Sequence, residues 1–421
     1  MPSHKTRLAA ALGAATLTLT TLGACSTKTE EAATGASGGL ATGPGVDDTA
    51  INLGILTDIT GPFAAIDKQQ NLGVQLYWDA KNAAGGVCEG RKVKLVTRDH
   101  SYDPQKAVSL YSDMSEQVLA LQITVGSPTT LAVLPKLEQD GMLAVSMGWS
   151  PSLRDSASIV IPGTTYDIEM VNAVDYLIDQ KKLAKGDKIG YIYLKGDYGE
   201  PGLKGATFAA EAHGMTVVSQ QIDPSVSDLS GQVKQMRDAG VKALFLSAAG
   251  RQVSSAVAVA DVEGLHVPIV VASPGFSPES LSTAAGKAME ERMLVVSSVA
   301  PFSGEGTGPA KVRELYAKAG TSSITPSLWT TLGYGAASVM DQAITQACAN
   351  KDLTRAGLSK AFRQKGSYDT EQTTVPLDFS KPGLSPSAQT FVMKPAKDAE
   401  GGLKLVESGY TGADAKTFLA R

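Results

Sequence analysis

The stretch Leu119–Leu153, LALQITVGSPTTLAVLPKLEQDGMLAVSMGWSPSL, decides the fold. Leu119–Val125 is a short apolar run ended by Gly126, the pattern of a strand covered on both faces. Ser127-Pro128 then starts a helix. The Ser hydroxyl can accept a first-turn N–H, and proline lacks only a donor that the first turn leaves idle. Leu131, Leu134 and Leu137 share one helical face, and Gly141 stops the helix. Met142–Met147 is a second apolar strand, and Gly148-Trp149-Ser150-Pro151 repeats the turn chemistry. Two parallel strands joined by a helix place both turns at the carboxyl edge of their sheet, where open α/β sheets bind ligands. The expected ligand site is therefore this edge, with Ser127, Gly148, Trp149 and Ser150 as its residues.

The same alternation extends outward in both directions. Upstream, Ile51–Leu56 is a strand, Asp58-Ile59-Thr60-Gly61-Pro62-Phe63 its turn, and a helix runs through Leu72, Val74 and Leu76 to Asn82. Lys92–Arg98 is a strand, and Asp103-Pro104 opens another helix. Three βα units in about 100 residues make a doubly wound parallel sheet the economical solution. The pattern pauses near Ile159–Tyr166 and restarts with strands at Lys188–Leu194, Thr216–Gln221, Ala243–Ser247 and Ile269–Ala272, separated by helices. Tyr198 sits in the turn after the first of these, and Ser273-Pro274-Gly275-Phe276 follows the last. Helices are predicted at Pro309–Lys318 and Leu328–Cys348, the second apolar enough to be buried. The tail reads as short strands at Pro376–Phe379, Phe391–Met393 and Lys404–Leu405. The expected fold class is α/β, with two doubly wound parallel sheets.

At 421 residues the chain has room for two domains, and 43% hydrophobic against 19% charged residues suits globular α/β structure. A net charge of −4 and no basic run interleaved with aromatics exclude nucleic acid as the expected partner. Lys5 and Arg7 precede the uncharged run Leu8–Leu22, which reads as a secretory signal, too short for a convincing membrane span. It ends in Leu22-Gly23-Ala24-Cys25, which resembles a bacterial lipobox, so residues 1–24 are expected to be removed and Cys25 lipidated. Residues 25–49, mostly Thr, Ala, Gly, Ser and acid, are expected to form a flexible tether. Two cysteines remain, Cys88 and Cys348. In an exported chain an even remainder points to a disulfide, the alternative being two free buried thiols.

Catalytic signatures are missing: no Gly-x-Ser-x-Gly elbow, no P-loop and no His-Glu-x-x-His. His100, His213 and His266 stand in separate local settings, which leaves little from which to build a metal site or a Ser-His triad. Neither an enzyme nor a cofactor is expected. Only acids near strand ends (Asp58, Asp197, Glu279) keep a carboxylate-pair hydrolase open. Binding chemistry is better provided for. Ser127 with the free N–H groups of its helix, and Ser150 with the turn at Gly148, suit a carboxylate. Trp149 and Tyr198 offer flat faces to an apolar ligand part. The plainer roles are a helix cap for Ser127, worth ~1 kcal/mol, and core filling for Trp149.

Several markers in this order resemble those of extracytoplasmic solute-binding proteins of ABC importers, branched-chain amino acid (leucine/isoleucine/valine-binding) type. They are Thr-Gly-Pro-Phe-Ala after the first strand, Asn-Ala-Ala-Gly-Gly-Val at the helix stop, Asp103-Pro104-Gln105-Lys106-Ala107-Val108, and Asp197-Tyr198-Gly199. The resemblance spans roughly Ala50 to Phe379. It implies a periplasmic-binding-protein type I fold, in which two lobes joined by three crossovers close on a ligand. Lobe 1 would comprise about 50–168 plus 298–375, and lobe 2 about 169–297 plus 376–421. Both cysteines then fall in lobe 1, where a bridge does not oppose closure. The implied partners are a small solute, a membrane permease with its ATPases, and the membrane itself through the N-terminal lipid.

Carried over residue by residue, the resemblance assigns the ligand carboxylate and amino group to Ser127 and to Gly148-Trp149-Ser150, and a closing aromatic to Tyr198. The departures concern specificity. The family's aromatic after the first Gly-Pro turn falls on Ile66. Its lobe-2 acid, which pairs the ligand ammonium, falls near Pro274, and a second lobe-2 aromatic falls near Gly250, beside Arg251. A buried ammonium without a carboxylate is costly. Unless Asp58 or Asp197 replaces that acid, the expected ligand lacks the ammonium, and amides, carboxylates and aromatic acids remain open. The leading expectation is a lipid-anchored, extracytoplasmic solute-binding component of an ABC importer. The alternative is a ligand-sensing receptor module of the same fold.

Overall fold

The computed structural model describes residues 39–320 and 323–419. The expected signal segment, Cys25 and the first part of the expected tether lie outside these residues. From Gly39 the chain is built structure. Leu40 is buried, β1 (Ala41–Thr42) pairs in parallel with residues 352–353, and Val46 bridges Ile51. Residues 39–49 therefore belong to the packed body, a correction to the tether expected over 25–49. Small and polar composition did not prevent docking, because backbone pairing is joined by burial of Leu40 and packing of Val46 against the core.

The chain continues through β2 (Ala50–Thr57), α1 (Ala64–Ala83), β3 (Lys92–Asp99), α2 (Pro104–Met114), β4 (Ala120–Thr124), α3 (Ser127–Gln139), β5 (Ala144–Ser146) and β6 (Ile159–Val160). These five longer-range strands form a wholly parallel sheet in the order β3-β2-β4-β5-β6. The order reverses between β2 and β4, so the crevice at their carboxyl ends is the switch point where such sheets take ligands.

Beyond residue 165 come α4 (Tyr166–Asp179), β7 (Lys188–Leu194), α5 (Gly199–Ala212), β8 (Thr216–Ile222), α6 (Ser230–Ala239), β9 (Ala243–Ser247), α7 (Gly250–Val262), β10 (Ile269–Ala272), α8 (Gly286–Arg292) and β11 (Met293–Ser297). The chain then returns for α9 (Thr307–Ala319), α10 (Leu328–Ala349), β12 (Asp352–Leu353), α11 (Arg355–Lys365) and the paired strands β13 (Ser367–Tyr368) and β14 (Leu377–Asp378). It ends with β15 (Thr390–Pro395), β16 (Leu403–Tyr410) and α12 (Ala413–Leu419). The second sheet runs β16-β15-β11-β10-β9-β7-β8, with its own switch point between β7 and β9. It is mixed, not purely parallel as the sequence pattern implied, since the tail adds β15 and β16 antiparallel along its edge. A short connection of seven residues between β15 and β16 permits only antiparallel pairing, because a parallel return needs a long crossover.

The three connections between the bodies are tied to one another. Ser298 is the knot: its Oγ accepts the Thr164 N–H at 2.9 Å, and its own N–H donates to Glu169 Oε1 at 2.9 Å. Thr164 Oγ1 donates to the Gln389 carbonyl, and Val299 bridges Thr374 in antiparallel fashion. Burial pushes the Glu169 carboxyl well above its usual range. β14 pairs β13, and Phe379 packs on Phe362 at 5.0 Å between ring centroids. We therefore place the third crossover after Phe379, a few residues beyond the 375/376 boundary read from the sequence.

Helix α10 is the spine of the first body, with all of Leu328–Asp341 buried, as its mostly apolar and small residues imply. It crosses α1 at close range. A Cβ on Gly73 would overlap the Thr330 carbonyl, and one on Gly333 would overlap that of Gln70. A disulfide between Cys88 and Cys348, with Cα atoms 5.6 Å apart, joins the loop after α1 to the end of α10. Both ends of the bridge lie in the same body.

Candidate functional site

The two switch points face each other across the bodies and line a cavity of about 330 Å³, part of it open to solvent. From the first body it is lined by Phe63, Ile66, Asp67, Gln70, Tyr102, Val125, Gly126, Ser127, Met147 and Trp329; from the second by Tyr166, Tyr198 and Pro274. The rings bridge the bodies. Phe63 meets Tyr198 edge-on at 5.9 Å, Tyr198 meets Tyr166 at 5.1 Å, and Phe63 meets Tyr102 at 4.8 Å. At the rim the Trp329 indole donates to the Phe276 carbonyl at 3.3 Å.

Ser127 is the first residue of α3, with Gly126 as the cap, so its hydroxyl does not perform the capping role open to it. Ser127 Oγ is buried, with the Tyr166 phenol beside it and no well-formed hydrogen bond to another side chain. It is presented instead to the cavity beside the first-turn N–H groups that a helix leaves without internal partners. Gly148 supports this placement from behind, since a Cβ there would lie 2.7 Å from Ser127 Oγ and would overlap the Ser127 N–H.

Two further polar atoms face the same space. Asp67 Oδ2 accepts the Asp58 N–H at 3.2 Å, while Asp67 Oδ1 and Gln70 Oε1 are buried without partners. Burial, reinforced by the neighbouring Asp58 carboxylate, holds the Asp67 carboxyl well above the usual carboxylate range. Asp58 is occupied elsewhere, accepting the N–H groups of Gly61 and Phe63 to close the turn after β2. Burial likewise pushes up the Tyr102, Tyr166 and Tyr198 phenols, which stay protonated.

Of the residues expected from sequence, Ile66, Ser127, Tyr198 and Pro274 line the cavity, and Gly148 backs it. Trp149, Ser150 and Gly250 do not, and these are corrections. The Trp149 indole is buried behind Tyr166 and donates to the Ser146 carbonyl at 3.2 Å, so it fills core. Ser150 spends its hydroxyl capping the turn at Pro151–Leu153 by accepting the Ser152 N–H. Gly250 lies with Arg251 in a separate outer cleft between the bodies, which Pro274 also borders. The sequence reading missed Asp67, Gln70, Tyr102, Tyr166 and Trp329. For Asp67 and Gln70 a signal existed: three residues apart, they share the inward stripe of α1 with Ile66 and Val74.

Two α/β bodies, three crossovers and a cavity between facing switch points define a two-lobed solute-binding protein. The sequence profile of the periplasmic binding protein family matches residues 50–400, and the chain belongs to that family. A fatty acid ABC transporter substrate-binding protein from Thermomonospora curvata superposes with a TM-score of 0.88 at 38% identity, over 91% of this chain and 97% of that one. A branched-chain amino acid ABC transporter protein from Thermus thermophilus, solved with bound valine, superposes with a TM-score of 0.78 at 19% identity, over 89% and 100% of the two chains. The Leu/Ile/Val-binding protein homolog 3 of Brucella melitensis is 28% identical over 203 residues, 46% of this chain and 53% of that protein. The alignment thus spans about half the length of that curated relative. The family implies an extracytoplasmic solute-binding role. Among the described residues no helix is long and apolar enough to cross a membrane.

Proposed function

We propose that the protein is the solute-binding component of an ABC importer, anchored through a lipid on Cys25, and that its solute is an apolar monocarboxylic acid. The observation that carries the ligand class is the buried Ser127 hydroxyl at a helix N-terminus, set with Asp67 and Gln70 in a cavity walled for the rest mainly by Phe63, Ile66, Tyr102, Met147, Tyr198 and Trp329. A carboxylate on Ser127 answers the hydroxyl and the first-turn N–H groups, and the hydrocarbon part fills the aromatic walls. Fatty acids, named for the Thermomonospora curvata relative, and branched-chain amino acids, named for the others, both belong to this class.

Tyr198 and Pro274 come from one body and Ser127 from the other, so a ligand touching both favours the closed arrangement over the open one. Closure would present both lobes to a permease and its ATPases. The test is a thermal-shift panel of straight-chain, branched and aromatic acids and branched-chain amino acids on protein stripped of ligand by unfolding and refolding. A ligand at 100 times its Kd adds about 2.7 kcal/mol of stability. The expected result is a hit among these acids that Ser127→Ala weakens at least tenfold. Hits confined to non-acids, or a hit indifferent to Ser127→Ala, would overturn the reading.

A further inference from the structure

We propose that Asp67 is the specificity-determining group of the cavity, donating a proton in a hydrogen bond to the solute's carboxylate and so selecting acids that carry no amino group. This rests on the apolar monocarboxylic acid reading above and decides between the two kinds of acid it admits.

Two buried polar side chains of the cavity lining, Asp67 through Oδ1 and Ser127 through Oγ, have a proton to offer and no well-formed hydrogen bond in which to spend it, while Gln70 Oε1 beside them is an acceptor that a carboxylate leaves unfilled. Buried polar groups are normally satisfied, so the two donors describe a ligand that accepts from both. Asp67 is fixed in orientation, because its Oδ2 is held by the Asp58 N–H. Only Oδ1 is left to meet a ligand, and in a neutral carboxyl that oxygen carries the proton. The titratable and charged groups facing Asp67 are Asp58 and Asp99 at the strand ends and the phenols of Tyr102 and Tyr166. All are acids, and the rest of the lining is uncharged. An ionised Asp67 would add a third carboxylate to this neighbourhood, where the nearby cation, Lys106, already faces Asp99, so the neutral form is the resting state.

A neutral carboxyl and a hydroxyl are both donors to a carboxylate, and hydrogen bonds to a charged acceptor are the strong ones. Together they hold the headgroup without a buried cation. An amino acid would have to ionise Asp67 against Asp58 and Asp99 and desolvate its own ammonium. Tyr166, Tyr198 and Pro274, the lining residues of the second body, bring no charge to the cavity.

The experiment measures octanoate and leucine binding by calorimetry between pH 6 and pH 9, using the full chain, Asp67→Asn and Asp67→Ala. Octanoate should bind the wild type and leucine should not. Above the pKa of Asp67, octanoate affinity should fall about tenfold per pH unit, as one bound proton is lost. Asp67→Asn keeps an uncharged donor at the same place, so it should bind within a few-fold of wild type with a flat pH profile. Asp67→Ala should lose more than tenfold at pH 7. Tight leucine binding abolished by Asp67→Asn would overturn the proposal in favour of an ammonium partner, as would octanoate binding that neither pH nor Asp67→Ala changes. If neither probe binds, nor any other acid of the thermal-shift panel, the monocarboxylic acid reading itself falls. That result is distinct from acids binding without help from Asp67.

Discussion

His100 and Asp67 are both buried and titrate with opposite consequences. His100 is buried, its Nδ1 accepts the Tyr102 N–H at 3.0 Å, and burial pulls its pKa down from 6.5 to about 4. The unfolded chain takes up this proton near pH 6.5 and the folded chain does not, so stability is lost as pH falls from 6.5 towards 4. A depression of this size corresponds to roughly 3 kcal/mol in all. Urea titrations at pH 7 and pH 4.5 should show that His100→Asn, which keeps an acceptor, narrows the difference between the two conditions. Asp67 acts the other way. Its folded pKa lies well above 3.8, so the ligand-free protein loses stability as pH rises above 3.8 until Asp67 itself ionises. Asp67→Asn should flatten that slope. Ser127 could be singled out from its Ser-Pro context, but not whether its hydroxyl capped the helix or faced a ligand. In the structure Gly126 is the cap and Ser127 lines the cavity.

Among the elements, α1 and α10 hold the cavity's first wall in place. α1 carries Ile66, Asp67 and Gln70, α10 carries Trp329, and the Trp78 indole pins α1 to Gln122 of β4 at 2.9 Å. Their crossing tolerates no side chain at Gly73 or Gly333, where each backbone meets the other's carbonyl. Gly73→Ala or Gly333→Ala should cost at least 1–3 kcal/mol in urea unfolding, as overpacking does. It should also weaken ligand binding by shifting α1. At the other side of the cavity, Gly148→Ala should displace the start of α3 and weaken binding at least tenfold, with the circular dichroism of the folded state retained. The apolar face of α10 was legible as burial because nearly every residue in its first four turns is apolar or small. The partner it packs against was not, since α1 lies more than 200 residues away in sequence.

Across the whole molecule, the disulfide and the crossovers divide the work between rigidity and motion. The Cys88–Cys348 bridge closes a loop of 260 residues inside one body. The paired variant Cys88→Ser/Cys348→Ser should lose about 2–5 kcal/mol of stability and leave ligand affinity near that of the wild type, because no covalent link spans the cleft. Calorimetric melting with parallel binding measurements would check both parts. A bridge important to closure would instead change affinity and stability together.

The sequence by itself determined the fold class, the alternation of strand and helix, and the two turns from which Ser127 and Tyr198 are presented. Those features are local, set by apolar periodicity and by glycine, proline and serine at fixed offsets. Only the tertiary structure decided that Trp149 is core, that Ser150 is a cap, and that Tyr166 and Trp329 close the cavity. It also decided that Asp67 faces that cavity with one oxygen unsatisfied. The physical reason is that burial, the desolvation of a carboxyl and the lack of a hydrogen-bond partner depend on what the rest of the chain brings alongside. For Asp67 that includes Tyr166, nearly a hundred residues further on.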